Sequence, residues 1–172
     1  MTGREIRNAA EVYVGESIEN DMALIAINEA LTVIGDMGLI YGTVTIQAES
    51  GQEYYMPADF TNIRTVYDSD NQPYSGWSQL GDAIRFEDAG EYKVYSRRTP
   101  SRLTSIDEIP DVSDSYHNSI VRFLRLFAIQ AGSDEIRDKR HRFDSFEEDV
   151  SKIHSGLNRV RQPRQVKVIR HA

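Results

Sequence analysis

The chain has 172 residues, 40% hydrophobic and 27% charged, and no cysteine, which fits one globular unit and excludes a disordered chain, a collagen, a repeat solenoid and a disulfide or thiolate-zinc framework. No apolar run approaches the roughly 20 residues that span a bilayer, and no apolar leader core follows Met-Thr-Gly-Arg-Glu, so a protein made in a cytoplasm, with no membrane partner, is expected. Residues 156–172 hold five basic residues and no acid, leaving 15 basic against 27 acidic residues and a net −12 in the body, 1–155, so sequence-reading nucleic-acid binding is not expected.

Residues 1–38 read as a helical pair. Ile6, Ala9, Ala10 and Tyr13 share one helix face, Gly15 breaks the segment, and Asn20 or Asp21 caps a second helix carrying Leu24, Ile27, Leu31 and Ile34. Gly38 suits the left-handed residue after its end. Residues 39–98 hold seven of the nine tyrosines and the only tryptophan, and have no long helical period, so they read as strands. Ile40, Gly42, Val44, Ile46 and Ala48 alternate with polar or aromatic neighbours, and Ser50-Gly51-Gln52 turns the chain into a return strand, Glu53–Met56, as a hairpin. Asn62–Tyr67 is the next strand, turned by Asp68-Ser69-Asp70-Asn71, with a short strand near Trp77. Ala83–Phe86 and Glu91–Ser96 read as a second hairpin, for four to six antiparallel strands in all.

Pro100 and Pro110 mark an extended connection over 99–111, and Ser113 is the expected cap of the next helix. In that helix only Asn118, Arg122 and Arg125 form a polar stripe, so it needs cover on most sides and belongs at the centre of a bundle. A last helix over about 134–158 carries Phe143, Phe146, Val150, Ile153 and Leu157 at helix–helix seam spacing. The fold class is therefore α+β: a helical bundle, made of an N-terminal pair and two long C-terminal helices, with a small antiparallel sheet domain inserted. Residues 1–158 form one domain (helical 1–38, β 39–98, helical 99–158), and 159–172 form a basic tail.

Catalytic motifs of useful specificity are missing from the sequence. Asp68-x-Asp70-Asn71 resembles the opening of a calcium loop, but Pro73 stands where that loop needs glycine and Gln79 where it needs glutamate. His117, His141, His154 and His171 have no ligand spacing. His141 and its charged neighbours, Asp138–Arg142, read as a solvated helix face. Glu147, Glu148 and Asp149 are consecutive on a helix and point in different directions. No cofactor and no enzymatic activity are expected; the expected product is a contact.

Four segments in order carry a resemblance: Ile27-Asn28-Glu29-Ala30-Leu31; Tyr54-Tyr55-Met56-Pro57-Ala58-Asp59-Phe60; Gly90-Glu91-Tyr92-Lys93-Val94-Tyr95; and Ile109-Pro110-Asp111 before a helix. Over about residues 5–158 the chain resembles the head–tail connector, or adaptor, proteins of tailed bacteriophages. It departs from them in having Tyr95-Ser96-Arg97-Arg98-Thr99-Pro100 one residue longer than their strand end. The resemblance implies a closed ring of about twelve copies beneath the portal protein. Such a ring sits in the virion neck, extends the channel for packaged DNA without sequence-specific binding, and presents its far face to a tail or stopper protein.

Three contact surfaces are expected. Arg159, Arg161, Arg164, Val166, Lys167, Val168, Ile169 and Arg170 are candidates for docking on the portal, the apolar ones as an added strand. Tyr54, Tyr55 and Trp77 are candidates for the tail-side contact, with sheet core as the competing role. Phe123, Leu126, Phe127, Phe143, Phe146, Val150 and Ile153 are candidates for a subunit or bundle interface. Other readings are a tail-completion or stopper protein, a metal-dependent hydrolase or nuclease using Asp59, Asp82 and Glu87, and a cytoplasmic partner-binding module.

Overall fold

The computed structural model describes the backbone of residues 1–130 and 136–161 and the side chains of 1–130 and 140–156. It is an α+β structure of helices and small antiparallel sheets. Helix α1 (Gly3–Val14) starts from a capping box in which Thr2 Oγ1 accepts from the Glu5 amide and the Glu5 carboxylate accepts from the Thr2 amide. It stops at Gly15, whose φ of 78° only glycine adopts without strain. Helix α2 (Asn20–Asp36) begins after Glu19, which makes no side-chain cap bond. Asn20, the expected cap, instead accepts a hydrogen bond from Arg7 of α1 and ties the pair together.

The 3₁₀ turn Asp114–Tyr116 precedes helix α3 (His117–Ile129). Ser113 makes no cap bond; its hydroxyl donates to Ser115. Helix α3 touches α1, α2 and α4 (Ile136–Arg161), the central place its apolar circumference demands. Ile6 and Ala10, Ala26, Ile27, Ala30, Leu31, Ile34, Ile120, Phe123, Leu124, Phe146 and Val150 make the bundle core. The expected helix closure and cap at Gly132 and Ser133 lie outside the described residues.

The β region contains seven strands among the described residues: β1 (Tyr41–Ala48), β2 (Glu53–Tyr55), β3 (Phe60–Tyr67), β4 (Pro73–Tyr74), β5 (Trp77–Leu80), β6 (Ala83–Phe86) and β7 (Gly90–Arg98). They form a four-stranded sheet in the order β1-β7-β3-β4 and a three-stranded sheet in the order β2-β6-β5. Both expected hairpins are corrected here. β1 pairs with β7, from Tyr41↔Arg97 to Ala48↔Gly90, and β2 pairs with β6. The turn at Gly51 and the segment 87–89 instead carry the chain from one sheet to the other. Alternation marks a strand and its buried face, while the partner is chosen by which apolar faces meet. Here Ile46, Val66, Tyr92 and Val94 of the larger sheet close on Ile84 and Phe86 of the smaller one. The local hairpins that do form are β5–β6, through Gly81 (φ 63°), and β3–β4, through 68–72.

The connection 99–112 runs back along the bundle. Gly3 and Arg4 at the start of α1 donate to the Glu108 and Ile106 carbonyls at 2.9 and 2.6 Å, so two of the helix's free amides are satisfied by the linker. A Cβ on Gly3 would stand 2.8 Å from the Ile106 oxygen, which makes glycine the residue that fits this approach.

Candidate functional site

Three of the four resemblance segments supply a polar group to the connections between bundle and sheets. Asn28, half-buried in α2, donates through Nδ2 to the Leu103 carbonyl at 2.9 Å and accepts through Oδ1 from the Leu103 amide at 2.8 Å. One side-chain amide thus serves both polar groups of a linker residue whose side chain is buried. Asp59 and Asp111, from the second and fourth segments, both pair with Arg98 at the end of β7. The Thr99 amide donates to the Asp59 carbonyl at 2.8 Å, and the Arg98 amide to the Ile40 carbonyl at 2.9 Å. Entry to and exit from the β region are therefore neighbours through the Arg98–Ile40 backbone bond, and the Arg98 guanidinium ties the exit to the start of β3 and to the linker. The extra residue at 95–100 falls at this joint.

In the β region, Phe86 stacks on Tyr92 with centroids 4.4 Å apart, Tyr74 tilts against Tyr92, and Tyr54 meets Phe86 edge-on. The Tyr54 hydroxyl accepts from the Glu49 amide at 2.7 Å. The Tyr74 hydroxyl donates to Asp88; burial, with the hydrogen bonds to Tyr92 and Asp88, raises its pKa. Trp77 packs half-buried against the same cluster. Of the three tail-side candidates, then, Tyr54 and Trp77 stand against the core and Tyr55 is 80% exposed.

On the seam of α3 and α4, Phe123, Phe146 and Val150 are buried, and Phe127, Phe143 and Ile153 are half-buried against them; Leu126 is half-buried. Most of the apolar surface on these faces is covered within the chain, which is the bundle role of the two expected for them. The seam also holds Arg142, 6% exposed, in place of the solvated face expected over 138–142. Its guanidinium lies 5.6, 4.6 and 5.5 Å from the ring centroids of Phe123, Phe127 and Phe143, a cation held by aromatic faces. His141 next to it is exposed. Spacing carried a usable signal, because residue 142 lies four before Phe146 and so on the seam side.

Exposed apolar side chains lie elsewhere: Val12 and Tyr13 on α1, Ile25 on α2, Ile109 on the linker and Ile129 at the end of α3. Beside Tyr13, a groove of about 460 Å³ opens between α1 and α3, lined by Ala9, Tyr13, Asn118, Val121, Arg122 and Arg125. The polar stripe of α3 is thus one wall of the groove.

Arg159 and Arg161 fall in the last turns of α4, while Arg164, Val166, Lys167, Val168, Ile169 and Arg170 lie outside the described residues. Asp59 is engaged by Arg98, Asp82 lies in the β5–β6 loop and Glu87 just beyond β6. Among the described residues no group of three or more His, Asp or Glu side chains is placed to hold a metal ion, and no helix is long and apolar enough to cross a membrane. No family model matches the chain, and no curated protein matches it.

Proposed function

We propose that the chain is a head–tail adaptor of a tailed bacteriophage: a structural virion protein whose copies form a ring beneath the portal, extend the DNA channel, and join the tail or a stopper. The observation that carries this reading is the joint just described. Asn28, Asp59 and Asp111, scattered over three of the four resemblance segments, each anchor a connection: Asn28 ties α2 to the linker, Asp111 ties the linker to Arg98 at the end of β7, and Asp59 ties that same arginine to the start of β3. Three of the segments then share one role, holding the linker to α2 and to the end of the β region, which suits a two-part subunit that bridges two larger assemblies. The 26-residue α4 favours the adaptor over a stopper. The acidic body suits a channel wall that DNA passes without sticking.

Negative-stain microscopy of the protein mixed with its portal tests the reading. A ring added under the portal is expected, and portals left bare at saturating protein overturn it. Deleting 159–172 is expected to abolish attachment while far-ultraviolet circular dichroism keeps its helical signal; attachment by the truncated chain removes the tail from the docking surface.

A further inference from the structure

Helix α3 departs from the charge of the rest of the chain. Between His117 and Ile129 it holds Arg122 and Arg125 and no carboxylate, within a body that is strongly acidic. Asn118, Arg122 and Arg125 recur at intervals of four and three, which keeps them on one face, and that face looks into the groove shared with α1. The Arg125 guanidinium lies 5.5 Å over the Tyr13 ring, and Arg125 is in no ion pair among the described residues. Arg122 bonds Asp149 at 3.0 Å from a side chain that is 70% exposed. Val12, 81% exposed, and Tyr13, 66% exposed, stand on the α1 side. The groove therefore offers two cations at one helical turn's spacing, an aromatic ring, and a bare apolar residue beside them.

The chain carries the complement. On α4, Asp144 and Glu147 are exposed and in no ion pair among the described residues. They too stand three apart, the spacing of Arg122 and Arg125. They occupy the side away from the buried Phe146 and Val150, so α3 of the same chain is out of their reach. A patch and a separate complement on one molecule make a heterologous contact, the kind that adds copies in one direction and closes a ring when the rotation suits.

We propose that the α1–α3 groove is the docking site for the acidic outer face of α4 from a second copy of this chain, with Arg122 and Arg125 receiving Asp144 and Glu147, and Val12 and Tyr13 covered beside them. The ring that this contact would build rests on the adaptor reading; the pairing itself is a property of two chains. Two rim ion pairs around a small apolar patch bind weakly between free copies, so the contact forms at high concentration in solution and at low concentration where a platform holds many copies side by side.

Charge exchange tests it. Arg125→Glu and Glu147→Arg each place like charges across the contact and break no ion pair within the described chain. Each is expected to lower ring occupancy on the portal at least about tenfold, with an unchanged thermal unfolding curve, and the double variant is expected to regain wild-type rings. Full rings from either single variant, or a folded double variant that stays ringless, overturn the pairing. Portal binding that Arg125→Glu abolishes and the double variant does not regain assigns the groove to the portal, and also overturns it. If the wild type adds no ring, the adaptor reading fails by itself. Sedimentation equilibrium of the free protein then decides the pairing: self-association that both single variants lose and the double regains upholds it, and a wild type that stays monomeric at high concentration overturns it.

Discussion

Asn28 shows how much one amide can organise. It answers both backbone groups of Leu103, so replacing it with alanine strands a donor and an acceptor in a half-buried place. Asn28→Ala is expected to cost about 1–3 kcal/mol, seen as a lower urea midpoint at unchanged slope. His117 is the residue with a pH signature. It is 2% exposed, with Nδ1 3.0 Å from the Met1 amine and 3.3 Å from Asp114. Burial first, and then the amine's charge, hold its pKa below the ordinary 6.5, against the pull of Asp114. The unfolded chain therefore takes up the proton first as pH falls. The contribution of His117 to stability is fully present above about 6.5 and is lost as pH drops from there to the lowered native value. Urea midpoints on either side of that range should fall less for His117→Gln than for the wild type; equal falls would remove the histidine from the account.

At the scale of elements, the helices were legible because their signals are local. Gly15 and Gly38 stop α1 and α2 with positive φ, and the apolar sides of α3 and α4 place them at the seam. Strand pairing was not legible, because β1 and β7 are separated by the whole β region and nothing near Ile46 names Tyr92 as its partner. Arg142 was misread for a related reason: a basic run looks solvated until the phenylalanines that surround it are known to converge. The joint lay in plain view as Asn28, Asp59 and Asp111, but Arg98, which collects the last two, stands in an unremarkable Arg-Arg pair. The aromatic stack carries its own prediction. Phe86 is fully buried between Tyr54 and Tyr92, so Phe86→Ala is expected to cost about 3–5 kcal/mol. The loss should appear first in the near-ultraviolet signal of the tyrosines, with the helical far-ultraviolet signal retained to higher denaturant; simultaneous loss of both would mean the two cores unfold as one.

At the scale of the molecule there are two cores under one joint, and they ask different things of the sequence. The bundle core is alanine-rich along α2, which lets helices approach closely, and sets Phe123 and Phe146 at the α3–α4 seam; the sheet core is smaller and stacks Phe86 on Tyr92 among aliphatic side chains. Among the described residues the bare apolar side chains stand at few positions, such as Val12, Ile25 and Ile129, and the contact proposed above is accordingly one of modest strength.

The amide of Arg98 reaches the carbonyl of Ile40 at 2.9 Å. The stretch between them is thus a detour that returns to its own starting point, and the path through the helices would be nearly unbroken if it were excised. A two-residue Asn-Gly bridge of the kind that joins adjacent antiparallel strands spans that gap, so a chain in which it replaces residues 41–97 is expected to keep the helical circular-dichroism signal of the bundle.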